Sequence, residues 1–208
     1  RNAGDCFVSK ATSMTAAEHP RKLFSGALNW AVALWLALAI EPAWADDGHA
    51  KLATLSRSDL DAAIRLYTQA IMTRKLSAEN LAIAFYERGT AYGREAQDNR
   101  AIQDFDEAIR LKPDFAEAFY NRGTVYERHA DSDRAIRDFD EAIHLNPDFA
   151  DAFNNRGNAY GRKGQDDRAI QDFNQALRLK ANFVLALNNR GYAYLRKGQY
   201  DRAIRDFD

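Results

Sequence analysis

Three asparagines, Asn121, Asn155 and Asn189, stand 34 residues apart. A carboxamide both donates and accepts a hydrogen bond, so a row of them can hold the backbone of an extended peptide whatever its side chains. Asn154, Asn158 and Asn188 lie beside the row and make its surroundings more polar, while Tyr86 and Tyr120 add aromatic surface. Glu87 occupies the position one step earlier in the series and interrupts it. Other chemistry has fewer candidates. Among His19, His49, His129 and His144, no pair has the spacing that sets two metal ligands on one helix face. The single cysteine is Cys6, so a disulfide framework and a cysteine zinc site are excluded from residue 46 onward. No glycine-rich phosphate loop follows a strand, and no serine has a nucleophile's context. Carboxylates are abundant but recur with a fixed period, whereas a catalytic pair is a singular arrangement. The residues read as non-catalytic, without metal or cofactor.

The recurring charges have a structural use. Arg88, Arg122, Arg156 and Arg190 each have an aspartate sixteen residues on, at Asp104, Asp138, Asp172 and Asp206. They are expected to pair across two neighbouring helices, and partly buried pairs of this kind favour specificity over stability. Arg94, Arg128, Arg162 and Arg196 also recur and suit the caps of helix ends.

The elements that carry these residues follow from the same period. Gly89, Gly123, Gly157 and Gly191 are 34 residues apart. Three residues after each stands Tyr92, Tyr126, Tyr160 or Tyr194; twelve after each, Ala101, Ala135, Ala169 or Ala203; and four beyond that, Phe105, Phe139, Phe173 or Phe207. Pro113 and Pro147 close the first two copies. Ala101, Ile102, Phe105, Ala108 and Ile109 form one apolar helical stripe. Glycine in mid-helix costs about 1 kcal/mol relative to alanine, so four at one register imply a close approach of two antiparallel helices. Gly164 and Gly198 suit left-handed turns, and Asp114, Asp148 and Asn182 are expected to cap the helices that follow them. Each pair leaves an apolar side that the next copy must cover.

This order at this period resembles the tetratricopeptide repeat, over residues 82–208. The resemblance implies an all-α, right-handed superhelical solenoid of antiparallel helix pairs: copies at 82–115, 116–149 and 150–183, and a truncated one at 184–208. It implies a concave groove lined by the first helix of each pair, where Asn121, Asn155, Asn189, Tyr120, Asn154, Asn158 and Asn188 fall. The asparagine row looks like the ladder of the glycosyltransferase that attaches O-linked N-acetylglucosamine, which holds peptide backbone. The paired lysines with which other members grip a C-terminal carboxylate are absent. The resemblance therefore implies a scaffold for a peptide or protein partner; the alternative is the repeat module of a larger enzyme or envelope machine. Family membership alone does not name a partner.

Two segments depart from the repeat. Residues 58–74 read as a lone second-type helix, with Ala63, Tyr67 and Ala70 in its stripe. With residues 46–81 taken as linker and half-repeat, the connection to the first copy is expected to be four residues longer than elsewhere. At the other end Asp208 falls inside a second helix with no polar closing helix after it, as in a fragment. Before residue 46 the order is that of a secretory signal: Arg21 and Lys22, the apolar run 23–40, then Ala43-Trp44-Ala45. Residues 14–45 are expected to be a signal peptide cleaved after Ala45, residues 1–13 an upstream extension, and the mature chain exported to periplasm or medium. Left uncleaved, residues 23–40 would be a membrane anchor, though short for a span of about 20 residues. The net charge of −1, with 46% hydrophobic and 28% charged residues, suits a folded core and gives no electrostatic case for nucleic acid.

Overall fold

The computed structural model describes residues 57–208; the expected signal peptide, its cleavage point and the upstream extension lie outside them. The described residues form helices and connecting turns, in the order α1 (Arg57–Met72), α2 (Ala78–Arg94), α3 (Asp98–Leu111), α4 (Ala116–Arg128), α5 (Ser132–Leu145), α6 (Ala150–Arg162), α7 (Asp166–Leu179), α8 (Val184–Arg196) and α9 (Tyr200–Phe207). α2–α3, α4–α5, α6–α7 and α8–α9 pack as antiparallel pairs. Each second helix also packs on the first helix of the following pair, giving an all-α solenoid.

The close approach within each pair is visible at Gly157. A Cβ built there would lie 2.7 Å from Cε1 of Phe173, nearer than side-chain atoms come to one another. Phe105, Phe139 and Phe173 are consequently sealed between helices, beside Ala101, Ala135 and Ala169, all of them fully buried. Phe207, in the same register, is 42% exposed, because no later helix among the described residues covers it. Tyr92, Tyr126, Tyr160 and Tyr194 are half-buried and lie under arginines, Arg134 being 4.5 Å from the Tyr126 ring centre. Pro113 and Pro147 are exposed in the loops between pairs.

Two features differ from the sequence reading. The extra residues between Ala63 and Gly89 do not mainly lengthen a linker. They add a turn to α2, which starts at Ala78, four residues before 82, and is capped by the Ser77 hydroxyl accepting from the Asn80 amide at 3.2 Å. Four residues are about one helical turn, so the longer helix keeps its buried face in phase. Secondly, Asp114, Asp148 and Asn182 do not cap with their side chains. The capping positions fall one residue later, on Phe115, Phe149 and Phe183. Phe115 and Phe149 turn their rings against Tyr86 and Tyr120 of the preceding pair, 4.7 Å between centres in both cases. An aromatic wedge in the seam takes the place of the capping oxygen, and backbone carbonyls serve instead: the Ala116 N–H donates to the Asp114 carbonyl at 3.2 Å and the Ala118 N–H to the Phe115 carbonyl at 3.0 Å.

The turns inside the pairs share one geometry. Gly164 and Gly198 take φ of +72° and +69°, and Ala96 and Ala130, in the same register, take +56° and +57°.

Candidate functional site

The first helices α4, α6 and α8 stand side by side and enclose an open groove of about 480 Å³. Asn155, Asn158 and Asn189 line it, with Thr124, Tyr192 and Phe173 around them. Its turn-side rim carries Glu127, Arg128, Arg162 and Arg196.

The asparagine row is bonded from pair to pair. The Asn121 amide donates to the Tyr86 hydroxyl at 3.0 Å and to the Thr90 hydroxyl at 3.3 Å. Asn155 donates to the Tyr120 hydroxyl at 3.1 Å, and Asn189 to the Asn154 carbonyl oxygen at 2.9 Å. Asn154 in turn donates to Asn155 at 3.1 Å. Burial pushes the Tyr86 and Tyr120 phenols up, so both stay neutral and fit to accept. The row thus holds the solenoid together with the N–H groups that a peptide would otherwise use. Asn154 is buried and serves as a partner within it. Asn158 is half-buried in the groove wall and Asn188 is exposed; neither amide bonds to another described residue.

The arginine–aspartate pairs close as forks. In the α6–α7 pair, Arg156 gives Nε to Asp172 Oδ2 at 2.8 Å and Nη2 to Oδ1 at 2.7 Å. The same fork joins Arg88 to Asp104, Arg122 to Asp138 and Arg190 to Asp206. The bond to Asp104 holds the Arg88 guanidinium above its ordinary range. The remaining Nη1 reaches back across the seam: to Thr68, Asp106, Asp140 and Asn174 in turn, at 2.5 to 3.1 Å. In the second arginine series, Arg128 and Arg162 cap the end of the first helix of the preceding pair, at the Gly93 and Glu127 carbonyls. Arg128 donates to the Gly93 carbonyl at 2.8 Å and pairs with Asp98, Arg162 pairs with Glu127 at 3.1 Å, and Arg196 with Asp166 at 2.6 Å. These bridges to the preceding pair neutralise the rim. Sequence reasoning had singled out neither Thr124 nor Tyr192; a signal existed in Asn158, three residues before which stands Asn155 and 34 residues either side of which stand these two.

Among the described residues no group of three His, Cys, Asp or Glu side chains is arranged to hold a metal ion, and no helix is long and apolar enough to cross a membrane.

Paired antiparallel helices in register, with a groove along the first helices, define a helical repeat protein. Tetratricopeptide repeat models match residues 97–129, 120–182 and 173–205, and the chain belongs to the tetratricopeptide repeat family. It is similar to the solved structure of MamA, with a TM-score of 0.66 and 29% identity over 79% of this chain and 92% of that one. It shares its fold with YrrB, a TPR protein with an unusual peptide-binding site, at TM-score 0.60 and 23% identity over 72% of this chain and 75% of that one. It also shares it with the first TPR of Spaghetti (RPAP3), solved bound to the HSP90 peptide SRMEEVD, at TM-score 0.57 and 22% identity over 58% of this chain and 95% of that one. No curated protein sequence matches the chain.

Proposed function

We propose that the protein is a non-catalytic scaffold that binds an extended peptide, or an extended segment of a protein partner, in the groove along α4, α6 and α8. The observation that carries this is Asn158: an amide with no internal partner, in the wall of an open groove between bonded rungs of the asparagine row. Beside it Tyr192, 58% exposed, offers a flat apolar face. An amide next to an aromatic ring can bond a peptide unit and cover the neighbouring side chain. The peptide-bound Spaghetti TPR and the peptide-binding site of YrrB support the reading at the level of fold. We place the scaffold outside the cytoplasm, on the strength of the signal-like order of residues 21–45.

The test is enrichment from a random-sequence peptide display library, using chain starting at Asp46. Wild type should enrich a peptide family, and an Asn158→Ala, Tyr192→Ala variant of unchanged helicity should lose at least tenfold in affinity for it. No enrichment by wild type, or equal binding by the variant, excludes peptide binding in this groove.

A further inference from the structure

Glu87 is on α2, in the register that later pairs give to Asn121, Asn155 and Asn189. In each of those pairs the amide bonds back to the first helix before it. No described first helix precedes α2; the helix packed there is α1, of the second type. One oxygen of the Glu87 carboxyl is left without such a partner: Oε2 is sealed from solvent and takes no hydrogen bond. A buried acceptor without a donor is tolerated far better as a neutral acid than as an anion.

The second oddity of this seam lies on the other side of α2. Arg122 and Arg156 reach back to the carboxylates of Asp106 and Asp140, whereas Arg88 reaches back only to the hydroxyl of Thr68, at 3.1 Å. Among the described residues the α1–α2 seam, like the α7–α8 seam with its Asn174, gives this arginine a neutral acceptor in place of the carboxylate, and it also holds the unpartnered Glu87 Oε2. The groups that face Glu87 are the phenols of Tyr67 on α1 and Tyr86 on α2, both pushed up by burial and then by the nearby Glu87 charge. From α4, Glu117 adds a further negative charge at Tyr86. Arg88, next in the chain, is taken up by Asp104 of α3.

We propose that the seam between α1 and α2 is a proton-operated joint, in which α1 stays docked while Glu87 is protonated and opens when Glu87 ionises. Burial raises the Glu87 carboxyl to about 7. The docked state therefore keeps a proton that an opened, hydrated Glu87 releases near its ordinary value of 4.5. Docking is strongest below that value, weakens as pH rises toward 7, and changes no further above it. Among the described residues α1 packs on one neighbouring helix, α2, and local opening of an element so attached is less costly than unfolding the array.

The experiment is amide hydrogen exchange on the full chain at pH 6 and pH 8, each rate divided by that of an unstructured peptide at the same pH. In wild type the opening of α1 should become about tenfold more frequent across this interval, the ratio that follows from ordinary and docked values of 4.5 and about 7. In Glu87→Gln, which keeps the size of the neutral acid and cannot ionise, the corrected rates of α1 should be equal at both pH values. The carbon-13 shift of the Glu87 carboxyl in wild type is the second measurement and does not depend on the variant folding; its midpoint should lie near 7. A midpoint near 4.5, or the same pH dependence in Glu87→Gln as in wild type, overturns the joint.

Discussion

The guanidinium of Arg156 grips the Asp172 carboxylate through two parallel hydrogen bonds of 2.8 and 2.7 Å, and its third donor crosses the seam to Asp140 at 2.7 Å. One residue thus ties three helices, α6, α7 and α5, and the two acids it holds are unequal. Asp172 is buried, whereas Asp140 is about half-exposed.

Their removal should therefore have unequal cost. Arg156→Ala leaves Asp172 buried and unpaired, and should destabilise the array by about 3–5 kcal/mol. Asp140→Ala removes a solvent-screened partner and should cost about 0–1 kcal/mol. Replacing both Arg156 and Asp172 by leucine removes the stranded charge and should cost less than Arg156→Ala alone. Urea unfolding of the three variants, followed by circular dichroism, gives the order; Asp140→Ala as damaging as Arg156→Ala would contradict it.

Gly157 and Gly161 lie one turn apart on α6 and should respond oppositely to alanine. At Gly157 the new methyl meets the Phe173 ring at 2.7 to 3.1 Å, and that ring is sealed on every side. Overpacking should cost about 1–3 kcal/mol. At Gly161 the new methyl meets the tip of Arg196 at 2.9 Å, a flexible and half-exposed side chain. Moving it is cheap, and alanine's helix preference returns about 1 kcal/mol, so Gly161→Ala should be neutral or stabilising. Thermal midpoints of the two single variants decide the matter.

Ala96 and Ala130 occupy a left-handed turn that Gly164 and Gly198 fill in the later copies. Left-handed backbone costs alanine about 1–2 kcal/mol, of which glycine's greater freedom in the unfolded chain takes back about half. Ala96→Gly and Ala130→Gly should each stabilise by about 0.5–1 kcal/mol, and Gly164→Ala should destabilise by a similar amount. The two sites are far enough apart for their effects to add. Denaturation midpoints of the single and double variants measure this.

The period of 34 made the helix pairs, the close approach at the glycines and the Arg–Asp pairing legible, because each joins residues within one copy, though not that a phenylalanine ring is what each glycine meets. What was not legible joins one copy to the next. Asn121 finds Tyr86 thirty-five residues back, and Arg128 finds Gly93 at the same distance. Such partners depend on the rotation between neighbouring pairs, which no spacing within a copy expresses. The capping residues failed for the same reason. Phe115 is placed by Tyr86 of the preceding pair, and a local rule for polar caps does not see that contact. The groove was located through family resemblance, but which of its amides were already engaged depended on the same rotation.

That distinction between engaged and free amides separates two roles by experiment. Asn155→Ala removes the donor to the Tyr120 hydroxyl across the seam and the acceptor for Asn154 within α6, so two hydrogen bonds are lost. At about 1 kcal/mol each, the array should lose about 1–3 kcal/mol, with the Tyr120 hydroxyl and the Asn154 amide left to find water. Asn158 has no bond to lose, and Asn158→Ala should leave stability within about 0.5 kcal/mol, since alanine also favours the helix. A peptide bound in the groove should show the reverse order, losing more affinity with Asn158→Ala than with a folded Asn155→Ala chain. Urea unfolding and titration of an enriched peptide, run on the same two variants, give both orders. A chain that lost stability and peptide affinity in parallel at both positions would show the row itself to be the binding surface, with Asn158 a member of it.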